Sequence, residues 1–179
     1  MNKVICSVLI LQSLFCSILS INLFAQNYPI YVGKDLTHGF DIGVNTNNGF
    51  NKWLSDSSGY MKMIYPPSQQ WGAVFITVGV SKNPPRPFKN FSMYRTLSIE
   101  MKGAKGGETL EIGLKDNTDL DNGGETKIQI TLTTNWQVYK FLLSRFVTAD
   151  LSHLYMPIEF VFDGPQGKIV YFKNITYER

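Results

Sequence analysis

The chain has 179 residues, of which 44% are hydrophobic and 17% charged, with 17 Lys and Arg residues against 14 Asp and Glu residues. This near-neutral balance, without any run of Lys or Arg, argues against the basic surfaces that are typical of nucleic-acid-binding and membrane-surface proteins. Both cysteines, Cys6 and Cys16, lie near the start of the chain, so no disulfide is available to staple the remainder. The remainder must be held by a hydrophobic core, and its length is that of a single domain.

The first 25 residues have the composition of a secretory signal peptide. Lys3 supplies a positive charge, the segment Val4 to Phe24 is mostly apolar, and Ala25 precedes polar residues. Polar side chains interrupt this apolar segment, whereas a transmembrane helix needs about 20 predominantly apolar residues. We therefore predict a signal peptide over residues 1–25 with cleavage near Ala25, a secreted or periplasmic protein without further membrane contact, and one domain over residues 26–179.

Strand signals dominate the rest of the chain, and helix signals are nearly absent. Short runs rich in β-branched and aromatic residues alternate with Gly, Pro, Asn and Asp turns, which predicts an all-β sandwich or barrel. Asp150 is positioned to cap a single helical turn between Val147 and Leu154. The predicted strands are Tyr60 to Tyr65, Ala73 to Val80, Thr96 to Lys102, Leu110 to Lys115, Thr126 to Thr131, Gln137 to Leu143, Pro157 to Phe162 and Lys168 to Tyr177.

Alternation within three of these strands pairs an apolar face with a face that carries a carboxylate. The apolar faces consist of Leu97, Ile99 and Met101, of Leu110, Ile112 and Leu114, and of Ile158, Phe160 and Phe162. The opposite faces carry Glu100, Glu111 with Lys115, and Glu159. If the three strands neighbour each other in one sheet, these side chains share one surface. That surface is either an ordinary solvated face or a concave sheet that binds a ligand.

Sugar binding requires an aromatic ring that packs on the sugar and nearby polar groups that pair with hydroxyls. Trp71 preceded by Gln69 and Gln70 offers both, and Tyr65 and Tyr139 are further candidate aromatic surfaces. The alternative for Trp71 is that it caps the core at the start of its strand. Trp136, by its position before a strand, is predicted to pack in the core.

Motifs for metal or nucleophile chemistry are weak in this sequence. His38 and His153 are each isolated from cysteine and from a second histidine, which argues against a zinc site. The loop from Lys115 to Glu125 departs from a calcium-binding EF-hand and is interpreted as an acidic hairpin loop in which Gly123 and Gly124 take positive φ. Two of the three glutamates could still supply the carboxylate pair of a glycan hydrolase, so that alternative stays open.

The segment from Asn135 to Phe146, with Trp136, Tyr139 and Phe141 among its residues, resembles a strand of carbohydrate-binding modules with a galactose-binding-like jelly-roll fold. The resemblance extends from Tyr94 to Glu178, and the closing Lys168 to Glu178 segment is similar to that of family 11 and related modules of polysaccharide-degrading bacteria. It implies a jelly-roll β-sandwich of two antiparallel sheets. It also implies a secreted, non-catalytic protein whose concave face or adjoining loops bind a polysaccharide or oligosaccharide.

The same resemblance implies a structural calcium ion held by an acidic residue at the closing strand. Here Lys173 occupies the region where a carboxylate is expected, and calcium requires several oxygen ligands. Asn174, Asp41 and Glu178 are the remaining candidate ligands. The alternative is a purely structural role for Asn174.

These observations lead to a set of candidate ligand-binding residues and to three function classes. We expect a glycan-binding protein that acts alone or beside a glycanase or cell-surface glycan-utilisation proteins. The alternatives are a small glycan hydrolase or lyase that uses the same carboxylates, and a structural or protein-interaction domain at the cell surface. The candidate ligand-binding residues are Tyr65, Gln69, Gln70, Trp71, Glu100, Glu111, Lys115, Tyr139 and Glu159.

Overall fold

The structure is a computed structural model that describes residues 26–46, 52–80 and 85–179. The predicted signal peptide lies outside the described residues. In these ranges the chain is all-β apart from two short 3-10 turns, Leu143–Arg145 and Leu151–His153, and Asp150 caps the second by accepting from the Ser152 amide at 2.8 Å. The strands are β1 (Tyr28–Val32), β2 (Asp35–Leu36), β3 (Phe40–Thr46), β4 (Leu54–Ser57), β5 (Tyr60–Tyr65), β6 (Trp71–Val78), β7 (Thr96–Gly103), β8 (Thr109–Asp116), β9 (Lys127–Thr131), β10 (Gln137–Leu142), β11 (Leu154–Asp163) and β12 (Lys168–Glu178).

The strands form two antiparallel sheets. The seven-stranded sheet has the order β10-β7-β12-β1-β2, with β5 also pairing with β12 and β4 pairing with β5. The five-stranded sheet has the order β3-β6-β11-β8-β9. Consecutive strands β7 and β8 therefore belong to different sheets, which is a crossover and not a hairpin. The predicted sandwich of two antiparallel sheets is confirmed.

The long strand β12 changes partners halfway along its length. Residues 168–172 pair with β5, and residues 175–177 pair with β1, so that Tyr177 lies opposite Tyr28. The change occurs at Asn174, which has a φ of 51° and lies where the register with β7 shifts. Its side chain stabilises this bulge, because Oδ1 accepts the Gly33 amide at 3.0 Å and Nδ2 donates to Glu100 at 2.9 Å.

The predicted apolar faces form the core between the sheets. The residues predicted for β7, β8 and β11 are all buried and belong to one cluster. Contact across the sandwich is direct, as in the stacked pair Phe160 and Phe172 with centroids 5.0 Å apart. Burial of a large apolar side chain contributes about 1.5–3 kcal/mol to the free energy of unfolding, so this core can stabilise a domain that has no disulfides.

The sequence did not predict the first four strands, and the structure also corrects the placement of one tryptophan. Strands β1, β2 and β4 are short, with five, two and four residues, and β3 contains Asp41, Gly43 and Asn45, which are residue types depleted in strands. Trp136, predicted in the core, is half-buried on the outer face of the seven-stranded sheet, 5.6 Å from the Tyr60 ring. Trp53 is fully buried instead, packed edge-on against Tyr65 at 5.2 Å. Within the described ranges no helix is long and apolar enough to cross a membrane.

Candidate functional site

A cleft of about 810 Å³ lies on the outer face of the five-stranded sheet. Strands β3, β6, β8, β9 and β11 supply its floor, and the loop between β8 and β9 supplies one wall. The described lining residues are Val44, Asn45, Trp71, Phe75, Arg86, Glu111, Lys115, Asp121, Asn122, Gly123, Glu125, Lys127, Tyr155, Met156, Glu159 and Val161. A cleft of this volume is the size of site that takes a small ligand or part of a polymer.

The floor of the cleft is a row of cross-strand neighbours. Glu159 on β11 lies opposite Gly113 on β8 and opposite Phe75 on β6, and Phe75 lies opposite Gly43 on β3. Glycines make room for both large side chains. A Cβ at Gly43 would lie 2.5 Å from the Phe75 ring, and one at Gly113 would lie 3.2 Å from Oε2 of Glu159. The glutamate and the ring therefore lie flat along the floor.

Trp71 supplies the exposed aromatic surface of the cleft. It begins β6 and is 41% exposed, so the alternative in which it caps the core is wrong. Phe75, four residues further along β6, adds a half-buried ring on the same sheet face. Each ring offers an apolar surface on which the C–H groups of a sugar can pack.

A network of ion pairs surrounds the nearly buried Lys115. Its Nζ lies 3.6 Å from Oε2 of Glu125 and 3.4 Å from Oδ1 of Asp121, and the Lys127 ammonium contacts the other Glu125 oxygen at 2.6 Å. Arg86 forms an ion pair with Asp121. Burial alone would lower the pKa of Lys115, but Glu159, Glu125 and the two aspartates together raise it. The cations of the cleft are thus held in fixed positions by acids of the same cleft.

Glu159 is the most perturbed acid in this network. Burial, and next the negative charge of Glu125, raise its pKa from 4.5 to about 7 against the opposing effect of Lys115. Burial acts in the same direction on Glu125, yet the hydrogen bond from Lys127 and the nearby ammonium groups lower the pKa of Glu125. Oε2 of Glu159 is buried without a hydrogen-bond partner, and the buried Oε2 of Glu125 has the Lys115 ammonium 3.6 Å away. The carboxyl groups that line the cleft can accept hydrogen bonds from the hydroxyls of a ligand.

The structure brings together four of the predicted site residues, namely Trp71, Glu111, Lys115 and Glu159, because all four line the cleft. The expectation that Glu100 shares this surface is wrong. Glu100 lies on β7 in the other sheet, where it pairs with Lys173 at 3.0 Å. Tyr139 is also in the seven-stranded sheet, on the edge strand β10, and its hydroxyl donates to the Thr131 carbonyl at 3.3 Å.

Three further predicted residues lie elsewhere. Tyr65 is 1% exposed and stacks on Phe162 with centroids 5.4 Å apart, so it offers no free ring face to a ligand. Gln69 is buried, and the exposed Gln70 is not among the residues that line the cleft. Both amides belong to the turn before β6, whose backbone is hydrogen-bonded to the loop between β11 and β12, from Ser68 N to Pro165 O at 2.8 Å and from Gly164 N to Gln70 O at 3.0 Å.

The predicted calcium ligands do not converge in the structure. Asn174 is committed to Gly33 and Glu100, Glu178 pairs with Lys140 at 2.7 Å, and Asp41 belongs to the five-stranded sheet. Within the part of the chain that the structure describes, no group of three His, Cys, Asp or Glu side chains could hold a metal ion. The structural alternative for Asn174 agrees with its hydrogen bonds.

Sequence reasoning missed several residues of the cleft. The loop from Lys115 to Glu125 was interpreted as an ordinary hairpin loop, but Asp121 and Glu125 form one wall. Within it, Gly123 takes positive φ as predicted, whereas Asp121 rather than Gly124 is the second such residue. The guanidinium of Arg86 lies 5.1 Å from the Tyr155 ring. No sequence pattern indicates that Arg86 belongs to the cleft, because it is far from the loop in sequence. The four acids that follow Lys115 in this loop, Asp116, Asp119, Asp121 and Glu125, were the signal that could have been used.

Comparison with known proteins agrees with this architecture. The family model described as carbohydrate binding domain 30 matches residues 33–178. No curated protein matches the chain.

Several solved structures share the fold. A family 30 carbohydrate-binding module is 18% identical with a TM-score of 0.58, over 84% of this chain and 97% of that one. A variant of a family 29 module, complexed with mannohexaose, is 16% identical with a TM-score of 0.57, over 85% and 90%. The family 30 module of a cellulosomal cellulase of Clostridium thermocellum is 19% identical with a TM-score of 0.52, over 84% and 92%. The resemblance to carbohydrate-binding modules is confirmed, and the chain belongs to carbohydrate-binding domain family 30 as a non-catalytic carbohydrate-binding domain.

Proposed function

We propose that the cleft on the five-stranded sheet binds a linear, uncharged hexose polysaccharide lengthwise across the strands. The observation that carries this proposal is the exposed Trp71 ring in the same cleft as the acidic side chains of Glu111, Glu125 and Glu159. The ring packs on sugar C–H groups, and the carboxyl groups accept hydrogen bonds from sugar hydroxyls.

The charge pattern supports an uncharged ligand. Among the described residues that line the cleft, the cations Arg86, Lys115 and Lys127 each contact an acid of the same cleft. Because each of these cations already has an acidic partner, an acidic sugar gains no unpaired cation there. The mannohexaose held by the family 29 variant, and the cellulase that carries the Clostridium thermocellum module, suggest β-linked glucan and mannan as the first ligands to test.

The test is isothermal titration calorimetry with cellohexaose and mannohexaose. We expect at least one of the two to bind, and Trp71→Ala to weaken that binding by about thirtyfold, which corresponds to about 2 kcal/mol. Phe88→Ala is the matched control, since Phe88 is a 46% exposed aromatic that does not line the cleft, and this variant should bind as the wild type does. Equal weakening by both variants would place the ligand elsewhere.

A second measurement addresses cleavage. The alternative of a glycan hydrolase requires a pair of catalytic carboxylates, and Glu100 cannot pair with Glu111 or Glu159 because it lies in the other sheet. We expect no new reducing ends after prolonged incubation with the glycan that binds. Release of reducing ends that Glu111→Gln abolishes would favour the enzyme instead.

We also propose that the protein is exported and works as a single domain from residue 26 onward. The charged, apolar and small-residue pattern of residues 1–25 supports export, and the protein then meets its polysaccharide outside the cytoplasm. Partners that fit this location are glycanases and cell-surface glycan-utilisation proteins. Mass spectrometry of the protein from a culture medium or periplasmic fraction tests the cleavage, with a new amino terminus expected near Gln26.

A further inference from the structure

The outer face of the seven-stranded sheet carries aromatic rings alternating with lysines. This aromatic–lysine face consists of Tyr60 and Lys62 on β5, Lys102 on β7, Trp136 before β10, and Tyr171 and Lys173 on β12. The Tyr60 ring lies 5.6 Å from Trp136 and 5.5 Å from Tyr171, so the three rings form one group. Outward positions of a sandwich are ordinarily polar, which makes a group of three outward rings informative.

Strand register fixes the lysines on both sides of the central ring. Tyr171 lies directly opposite Lys62 on one neighbouring strand and directly opposite Lys102 on the other. Because adjacent strands are about 4.8 Å apart, the two lysines are anchored about 10 Å from each other across the ring. A polymer that crosses the strands at this point passes both ammonium groups in turn.

Lys102 is held by rings and not by an acid. Its Nζ lies 5.2 Å from the Trp136 centroid and 5.1 Å from the Tyr171 centroid. Lys173 lies 4.6 Å from the Trp136 centroid, but it also pairs with Glu100. Over residues 26–46, 52–80 and 85–179, neither Lys62 nor Lys102 forms an ion pair, in contrast to the cations of the cleft. The face therefore presents positioned, uncompensated positive charge beside apolar ring surface.

We propose that the aromatic–lysine face is a second glycan site, specific for polysaccharides whose sugars carry carboxylates. The ammonium groups of Lys62 and Lys102 bind the carboxylates of the sugars, and the Trp136 and Tyr171 rings pack on sugar C–H groups. A neutral glycan lacks the partner that the two lysines require, whereas an anion without sugar rings leaves the aromatic surface unused. The site is independent of the cleft, because it lies on the opposite side of the sandwich.

The experiment is isothermal titration calorimetry of the protein with sodium polygalacturonate at low ionic strength. We expect binding that weakens as salt is added, since exposed charges are screened within about 10 Å at 0.1 M salt. The double variant Lys62→Gln, Lys102→Gln should weaken the binding by about tenfold or more, the effect of losing roughly 1.4 kcal/mol. Lys140→Gln is the matched control, because this lysine on the neighbouring edge strand already pairs with Glu178, and we expect a change of less than about twofold.

Two comparisons test the sugar and the location. Trp136→Ala should weaken the binding of polygalacturonate. A soluble polyglutamate, which has carboxylates but no sugar rings, should bind the wild type no more tightly than polygalacturonate binds Trp136→Ala. Equal affinity of the wild type for polyglutamate would overturn the sugar site and identify a general polyanion surface. Loss of polygalacturonate binding in Trp71→Ala would place the acidic glycan in the cleft and overturn the proposal, as would an absence of binding by the wild type.

Discussion

The two outer faces of the sandwich are built from the same residue types but arrange their charges differently. In the cleft, Lys115 is nearly buried and surrounded by carboxylates, which hold it in place. On the aromatic–lysine face, Lys102 is held by two rings and contacts no acid in the described residues. Ion pairs stabilise Lys115 in the cleft, whereas the ammonium group of Lys102 keeps a positive charge that no acid in the described residues compensates. Aromatic and lysine content alone therefore does not identify a neutral-sugar site, because the pairing of the lysines with acids also differs between the two faces.

The largest expected difference between the faces concerns stability. Lys115→Ala leaves the buried carboxylates of Glu125 and Glu159 without their shared cation, so at pH 8 we expect the free energy of unfolding to fall by about 3 kcal/mol. Lys102→Ala removes two cation–π contacts between half-buried side chains and should cost about 1 kcal/mol. Urea denaturation of both variants measures the difference. Similar losses for the two variants would contradict the contrast between the faces.

A pH effect of similar size is expected from Glu159. Its pKa is raised from 4.5 to about 7 on folding, so the folded protein holds this proton more tightly than the unfolded chain does. The resulting stability is fully present below pH 4.5 and is lost as the pH rises through 7, with a maximum of about 3 kcal/mol at 1.4 kcal/mol per pKa unit.

Urea denaturation between pH 5 and 8 measures this effect as a difference between the wild type and Glu159→Gln. The amide cannot titrate, so the variant should lack the loss of stability that the wild type shows toward pH 8. Asp150, whose hydrogen bonds to Ser152 lower its pKa to about 2, titrates outside this range and does not contribute. Parallel stability curves for the two proteins would show that Glu159 is charged at neutral pH.

The smallest expected effect is the difference in stability between Tyr65→Phe in the core and Tyr171→Phe on the outer face. The buried Tyr65 hydroxyl donates to the Gly164 carbonyl at 2.7 Å, so Tyr65→Phe should lower the free energy of unfolding by about 1 kcal/mol without changing glycan affinity. Tyr171→Phe, on the outer face, should change stability by less than about 0.5 kcal/mol. Thermal denaturation and calorimetry on both variants test this, and weaker binding of a neutral hexaose by Tyr65→Phe would return Tyr65 to the ligand site.

Period-two alternation predicted which side of each strand faces the core, but it could not predict which sheet a strand joins. Leu97, Ile99 and Met101 are buried as expected, since this depends only on the pleat of one strand. Glu100 and Glu111 look equivalent in sequence, yet the crossover between β7 and β8 puts them on opposite outer faces. The pairing of distant strands decides this, and no local pattern reports it.

The three tryptophans show the same limit for single side chains. Trp53 is fully buried, Trp71 is exposed in the cleft, and Trp136 is half-buried on the aromatic–lysine face. Trp53 could enter the core because Gly72 leaves space, and a Cβ there would lie 2.0 Å from its ring. That space is created by a residue of β6 that is far from Trp53 in sequence, so no local sequence pattern indicates it.

The pairing of Tyr28 with Tyr177 brings the beginning and the end of the folded domain side by side on the seven-stranded sheet. A polypeptide or support joined at either position would therefore approach from the same end of these two strands, while the cleft lies on the outer face of the other sheet. Joining the two positions through a short linker and opening a surface turn elsewhere should yield a circular permutant that still folds. Such a geometry leaves the proposed glycan-binding cleft accessible when the domain is attached at this end.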